Sequence, residues 1–332
     1  MSRVAVFGAS GFIGTASATA LRQAGHEVLA RRARRLWVDA ETLTGSAWSA
    51  GRVHRASLAA ELDGVDAVVN AAGVATSGAA LTPALVGGNA AWPRLLAEAC
   101  ELAGVARLVH LSTAAVQGRA HLLDETLHYA PVTPYGRSKT LGEQLLRDAA
   151  EGGQLDITIY RPPSVHGPGR HMTAAFAAFC RRFPLVTCGD GNQPVPVALV
   201  GNIGAAVAAI LRAEHAPFVV AHPHEGHTVR TLYETFAPGR PLCVLPTALV
   251  RSLLGMAEPT GQWLAPLGAV CRRAELLLFG QAQQSGWLGT RGFAPPLGRA
   301  AWDQLAAEAR GAADEAADRA HASGPTGAGA PA

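Results

Sequence analysis

Across 332 residues the chain carries a single lysine, four tyrosines, three methionines and five cysteines, with 6% aromatic and 16% charged residues. Each shortage excludes something. Cys100, Cys180, Cys188, Cys243 and Cys271 lack the close spacing of zinc or dithiol motifs, so no metal is expected and reduced thiols in the cytoplasm are the default. A formal net charge of +3 with dispersed arginines offers no basic stripe for nucleic acid or an anionic membrane. No apolar run reaches the length of a membrane span, and the N-terminus enters a strand pattern at once, without a signal peptide. What remains is a cytoplasmic protein whose partner is a small molecule, and a 49% hydrophobic content is ample for a core.

The lone lysine is Lys139, four residues after Tyr135 in Tyr135-Gly136-Arg137-Ser138-Lys139. Every other strongly basic side chain is arginine, so this is the one place where a compact ammonium stands instead of a planar guanidinium. On a helix, Tyr and Lys at i,i+4 share a face, and the ammonium can favour the phenolate and draw the phenol toward working pH. Such a pair is a general acid/base, although the spacing alone also fits coincidence.

A second signal lies at the N-terminus. Arg3–Phe7 reads as a short buried parallel strand that runs into Gly8-Ala9-Ser10-Gly11-Phe12-Ile13-Gly14. A helix pattern follows, with Ile13, Ala16, Ala20 and Leu21 inward until Gly25. Glycines at such a turn let backbone N–H groups approach a pyrophosphate, which the helix N-terminus stabilises. Gly8, Ser10, Gly11, Phe12, Ile13 and Gly14 are therefore candidate cofactor contacts. The next strand, Glu27-Val28-Leu29, leads into Ala30-Arg31-Arg32-Ala33-Arg34-Arg35, where an NAD site would place an acid for the ribose 2′-hydroxyl. Arginines there suit a 2′-phosphate, so NADP(H) is preferred over NAD(H), with Arg31 and Arg32 as contacts; a solvated basic loop is the alternative.

Together these residues resemble the extended short-chain dehydrogenase/reductases, from about Arg3 to the region of Leu305. Asp66–Gly73 is similar to the family's fourth strand and the Ala71-Ala72-Gly73 turn beneath the cofactor. Asn89 matches the asparagine that organises the active-site water and the lysine. Leu108–Gly118 resembles the fifth strand leading to the catalytic hydroxyl, which its offset from Gly118 makes Thr113, with Ser112 beside it toward substrate. Tyr160–Gly169 resembles the sixth strand and its loop, with Pro162 and Val165 toward cofactor and Ser164 toward substrate. The resemblance implies an α/β fold, a Rossmann-type doubly wound parallel sheet, with a smaller C-terminal substrate-binding part. The dinucleotide domain would span residues 1–166 and carry the catalytic residues; 167–310 would be mainly substrate-binding, interleaved with the last strands; 311–332, poor in large apolar residues, would be a disordered tail. It further implies catalysis by Thr113, Tyr135, Lys139 and Asn89, Lys139 holding the nicotinamide ribose, and a homodimer through helices near 84–103 and 134–150.

Departures narrow the branch. Ser164 stands where nucleotide-sugar members carry an Asn for the substrate phosphates. Val195, Leu199 and Asn202 stand where they often have an Arg, a His and an Asp. A diphosphate would lose a charge-assisted clamp there, unless Arg170, Arg230, Arg272 or Arg273 supplies another. The third strand, taken as Arg52–Arg55, is followed by Ala56 and Ser57 rather than an acid toward adenine. His222-Pro223-His224-Glu225-Gly226-His227 fits no common zinc spacing. Apolar stripes between Leu242 and Phe279 suit a hydrophobic lid, a peripheral membrane surface or ordinary packing. The sequence thus points first to an NADP(H)-dependent reductase or dehydrogenase acting on a ketone or secondary alcohol of a sugar-derived or polycyclic molecule. Second comes an epimerase or dehydratase with retained NAD, and from another class a non-catalytic dinucleotide-binding protein.

Overall fold

Short β-branched runs separated by helical patterns are buried on both faces when they assemble in parallel. The computed structural model describes residues 1–44, 50–75, 80–252 and 265–322. In chain order the strands are β1 (Arg3–Phe7), β2 (Glu27–Arg31), β3 (Ala67–Asn70), β4 (Arg107–Leu111), β5 (Leu122–Leu123), β6 (Asp156–Arg161), β7 (Ser164–His166), β8 (Leu185–Cys188), β9 (Val197–Leu199), β10 (Val219–Ala221), β11 (Leu242–Leu245) and β12 (Ala282–Gln283). Six of them form a parallel sheet in the order β2-β1-β3-β4-β6-β10. The chain starts at the interior strand β1, steps to the edge strand β2 and then winds the other way through β3, β4, β6 and β10, which is the doubly wound order expected. The pairs β7–β9, β8–β11 and β5–β12 lie outside it.

Strand alternation divides the core between the two faces. Ala5, Phe7, Val68, Leu108 and Ile159 pack on one face against Leu58, Leu62, Trp92, Leu96 and Leu146. On the other, Val4, Val6, Val69, Val109 and Tyr160 pack against Leu21, Ile203, Val207 and Ile210. The first helix, Phe12–Gln23, buries Gly14, Ser17, Ala18 and Leu21 most deeply. This face lies partly beside the one expected, because the helix Val200–Arg212 approaches so closely that a Cβ on Gly204 would be 2.5 Å from the Ala16 carbonyl oxygen; Ile13 and Ala20 remain at the edge of the same core.

Two expectations need adjustment. Arg52–Arg55 is not a strand; it lies within the helix Ala50–Ala60, whose continuation places Leu58, Ala59 and Leu62 against the core at helical rather than alternating spacing. Among the described residues the sheet consequently ends at β2, with no strand beyond it to supply an adenine contact. Residues 311–322, read as the start of a tail, continue the helix Arg299–Ala322, in keeping with alanine's helix propensity; residues 323–332 lie outside the described ones. Between Leu242 and Phe279 the structure describes β11 and the helix Ala265–Phe279, with residues 253–264 outside the described ones. Val250 and Leu278 pack there with Cys188, which is ordinary core packing.

Candidate active site

A parallel sheet gathers the ends of its strands at one edge, and loops leaving that edge converge. The carboxyl ends of β1, β3, β4 and β6 deliver Gly8, Ala71–Gly73, Thr113 and Pro162 to the same side. Gly8 has φ +81°, and a Cβ on it would lie 2.8 Å from the Ala72 amide nitrogen, so only glycine lets the two turns meet. The Gly8 amide donates to the Arg31 carbonyl at 3.2 Å, which fixes the end of β2 beside the glycine turn.

The helix Phe12–Gln23 opens at Gly11 with no side chain capping it and no acidic residue in its first turn. Its first N–H groups and positive end thus face the turn without an internal anion, the condition a pyrophosphate needs. Ser10 is exposed in this turn, while Phe12 and Ile13 are half-buried. The residues present fit a dinucleotide. At the β2 end Arg31 is half-buried and Arg32 exposed, whereas Arg34 is committed to Glu61 at 2.7 Å and to His54. Val165 is buried, and the Pro162 carbonyl accepts from the Ala114 amide at 2.9 Å.

Thr113, Tyr135 and Lys139 come together. Thr133 caps the helix Pro134–Gly152, accepting from the Gly136 amide at 3.0 Å, with Pro134 at the first helical position. Tyr135 lies in the opening turn, with the Thr113 hydroxyl at the end of β4 close enough to favour its phenolate. Burial raises the ionisation of Tyr135; the Thr113 hydroxyl and the Arg170 charge oppose it. Lys139 is buried and donates to the Leu111 carbonyl at 2.8 Å; burial pushes its ammonium down to about 8, against the opposing pull of Glu143. Arg170 is thus a cation whose charge favours the Tyr135 phenolate. Arg170 lies with its guanidinium 4.8 Å from the Phe12 ring, between the glycine turn and Tyr135.

Asn89 sits in a π-helical turn, Gly87–Ala91, set between the helices Pro83–Val86 and Trp92–Leu102. Its side chain accepts from the Val74 amide at 2.9 Å and donates to the Val74 carbonyl at 2.8 Å and to the Ser138 hydroxyl at 2.9 Å. Ser138 in turn donates to the Tyr135 carbonyl at 2.8 Å. The asparagine thus joins the loop after Gly73 to the Tyr135/Lys139 helix. The helix comes this close because residue 142 is glycine: a Cβ there would overlap the Asn89 carbonyl oxygen.

Ser112 was expected to face substrate and does not. It is 5% exposed and donates to Glu143 in the interior, because alternation along β4 turns it away from Thr113. Ser164 is half-buried, 3.3 Å from His166 Nε2 and 3.6 Å from the Met172 sulfur. Of the other arginines considered for an anion, Arg230 donates to the Asp190 carbonyl at 2.6 Å, Arg272 is held by Glu275, Gln281 and the Gly118 carbonyl, and Arg273 is exposed. Val195 and Leu199 are in the core, and Asn202 clamps the Leu297 backbone at 2.8 and 2.9 Å. His222 is a buried link, 2.6 Å from the Tyr160 hydroxyl and 3.0 Å from Glu225, whose carboxylate also accepts from Trp302 at 3.0 Å. No group of three or more His, Cys, Asp or Glu among the described residues is arranged to hold a metal, and no described helix is long and apolar enough to cross a membrane.

Glu143, Arg161 and Ser138 were not foreseen in the site. Glu143 carried a legible signal, since it follows Lys139 by the same four residues that separate Lys139 from Tyr135; Arg161 had none, as its partner is remote in sequence.

The described site can be set beside known proteins. An uncharacterized UDP-glucose epimerase, YtcB, of Bacillus subtilis (strain 168) is 30% identical over 169 residues, covering 48% of this chain and 53% of that protein. The dTDP-6-deoxy-L-talose 4-dehydrogenase (NAD(P)(+)) of Kitasatospora kifunensis is 33% identical over 198 residues, covering 53% and 58%. The chain thus matches little more than half the length of these relatives. Among solved structures, a UDP-N-acetylglucosamine 4-epimerase from Bacillus cereus superposes with a TM-score of 0.64 at 16% identity, covering 93% of this chain and 100% of that one, a likeness of fold. The model of the NAD dependent epimerase/dehydratase family matches residues 4–221, the stretch that holds the glycine turn, Thr113, Tyr135 and Lys139. The chain belongs to that family.

Proposed function

We propose that the protein is a nucleotide-sugar epimerase or dehydratase that oxidises and re-reduces its substrate around a retained dinucleotide, in preference to the reductase to which the sequence pointed first. The approach of Thr113 to Tyr135, with Lys139 one turn on, carries the reading. Family membership and the epimerases among the relatives tilt it toward the internal oxidation–reduction.

In this reading the glycine turn, Ala71–Gly73, Pro162 and Val165 hold the dinucleotide, and Lys139 meets its nicotinamide ribose. When bound, the dinucleotide supplies the hydride acceptor and donor. Thr113 orients a sugar hydroxyl by hydrogen bond while Tyr135 takes its proton and later returns it. Thr113 lowers the cost of the phenolate by donating to it, and Arg170 by its charge. Asn89 holds the Tyr135/Lys139 helix in register through Ser138. Since the positions of the usual diphosphate arginine and histidine are Val195 and Leu199 in the core, Arg170 meets the anionic part of the substrate. The helices near 84–103 and 134–150 form the dimer contact.

The arginines at the end of β2, together with the NAD(P)-named relative, favour a second reading, an NADP(H)-dependent ketoreductase on a related sugar. Denaturing freshly purified protein, identifying any released nucleotide and titrating the emptied protein with NAD(H) and NADP(H) separates the two. Retained nucleotide supports the epimerase or dehydratase; weak, exchangeable binding that favours NADPH overturns it for the reductase.

A further inference from the structure

Glu143 stands one helical turn beyond Lys139, and the two side chains are 0% and 4% exposed. Its carboxylate accepts from Arg161, Nη2 to Oε2 at 2.6 Å and Nε to Oε1 at 3.1 Å, and from the Ser112 hydroxyl. Arg161, 1% exposed, gives Nη1 to the Thr126 carbonyl at 2.7 Å. Ser112 immediately precedes Thr113, and Arg161 immediately precedes Pro162. One carboxylate therefore ties the ends of β4 and β6 to the helix of Tyr135 and Lys139.

Stability alone is a weak reason for such a pair, since apolar side chains of similar volume often replace a buried ion pair at no loss. The charges around Lys139 supply a stronger one. From β4, His110 accepts a hydrogen bond from the Asn70 amide at 3.0 Å on a ring that burial and the Lys139 charge keep neutral. From β6 comes the cation of Arg161. The loop between contributes Tyr129, 5.5 Å from the Arg161 guanidinium, and Asp124, part-exposed and bonded to Gln117 and Thr126. Tyr135 on the same helix is a neutral phenol, with Arg170 beyond it. Two cations thus share this interior with Glu143, the fully buried carboxylate among these groups. Without it Lys139 and Arg161 would be two like charges in a desolvated space.

We propose that Glu143 is a positioning residue that fixes Thr113 against the Tyr135/Lys139 helix and supplies the buried negative charge that keeps Lys139 an ammonium. The inference rests on Thr113, Tyr135 and Lys139 being the reacting group. Because Lys139 is the sole lysine, lysine labelled with ¹³C at Cε gives one signal, and its titration reads this side chain alone. The native midpoint is expected at about 8. Glu143→Gln should lower it by about one unit or more, and Glu143→Asp should restore most of the difference. A role confined to packing would not move the midpoint, so a folded Glu143→Gln variant titrating with the native protein overturns the proposal. Circular dichroism establishes folding. Should that variant not fold, Glu143→Gln with Arg161→Met is compared with Arg161→Met alone, two proteins that differ only in the Glu143 charge: a lower midpoint in the former supports the proposal and equal midpoints overturn it. No substrate is needed, so failure here is distinct from failure of the epimerase reading, which the nucleotide analysis decides.

Discussion

Replacing Gly142 by alanine sets two effects of opposite sign against each other. Within a helix, Gly→Ala is intrinsically stabilising by about 1 kcal/mol. Here the new Cβ would overlap the Asn89 carbonyl oxygen and lie 3.2 Å from its carbon and 3.4 Å from Ala90 Cα. All three obstacles are backbone and cannot rotate aside, so the upper part of the usual overpacking cost applies, about 2–3 kcal/mol. The expected net loss is about 1–2 kcal/mol. Gly152, the last residue of the same helix, is the internal control: a Cβ there meets nothing within 4 Å, and Gly152→Ala should be neutral or stabilising. Urea unfolding followed by circular dichroism compares the midpoints directly, provided the slopes agree. The displaced turn carries Asn89, so Gly142→Ala should also weaken dinucleotide binding while Gly152→Ala leaves it unchanged. A Gly142→Ala variant as stable as Gly152→Ala would refute the close packing, and with it the account of how Asn89 is held.

Tyr135→Phe should cut turnover by about 10²-fold or more while sparing dinucleotide affinity, and undiminished turnover would end the proposed mechanism. Arg31→Ala with Arg32→Ala should weaken NADP(H) about tenfold and leave NAD(H) nearly unchanged in parallel titrations; equal effects on both would show that neither arginine reads the 2′ position. Arg170→Gln removes a cation that favours the Tyr135 phenolate, so the midpoint of the rise in proton-abstracting activity should move to higher pH, and a shift to lower pH would contradict the assignment. For the Glu143–Arg161 pair, Arg161→Met alone should cost about 3–5 kcal/mol because it strands a buried carboxylate, whereas Arg161→Met with Glu143→Leu should cost much less. A double variant as damaging as the sum of the singles would show that the pair does not act as a unit.

How far the sequence carried depends on the range of the interaction concerned. Gly8 to Gly14 were legible because a strand, a turn and a helix are adjacent in the chain, and Tyr135 with Lys139 because helical spacing is local. Thr113 was reached through its offset from Gly118 and the family pattern; its approach to Tyr135 needed the fold. Arg52–Arg55 was misread because four residues do not separate an alternating pattern from a helical one, and the deciding apolar positions, Leu58 and Leu62, come later. Ser112 was misjudged for a related reason: adjacent hydroxyls on a strand face opposite ways, and the alternation must be tied to a known inward residue before either is given a role. Arg170 was one of four arginines with equal claim until the structure showed Arg230 and Arg272 already engaged.

The lone lysine now has a physical reason. The Lys139 ammonium donates to the Leu111 carbonyl at 2.8 Å, and a Cβ on Gly73 would lie 3.2 Å from it and 2.8 Å from Asn89 Oδ1. The space at its tip is therefore bounded by the end of β4, by the turn beneath the dinucleotide and by the asparagine, each a backbone or hydrogen-bonded group with little freedom to retreat. A planar guanidinium is bulkier and keeps its charge at any pH the protein meets, whereas a compact ammonium fits, with burial drawing it down to about 8. Lys139→Arg should consequently fold less stably and lose dinucleotide affinity even though the formal charge is kept. The same geometry explains why Gly73, Asn89 and Glu143 belong to one unit with Lys139: two bound the ammonium's space, and the third supplies the charge that lets it remain an ammonium in a buried site.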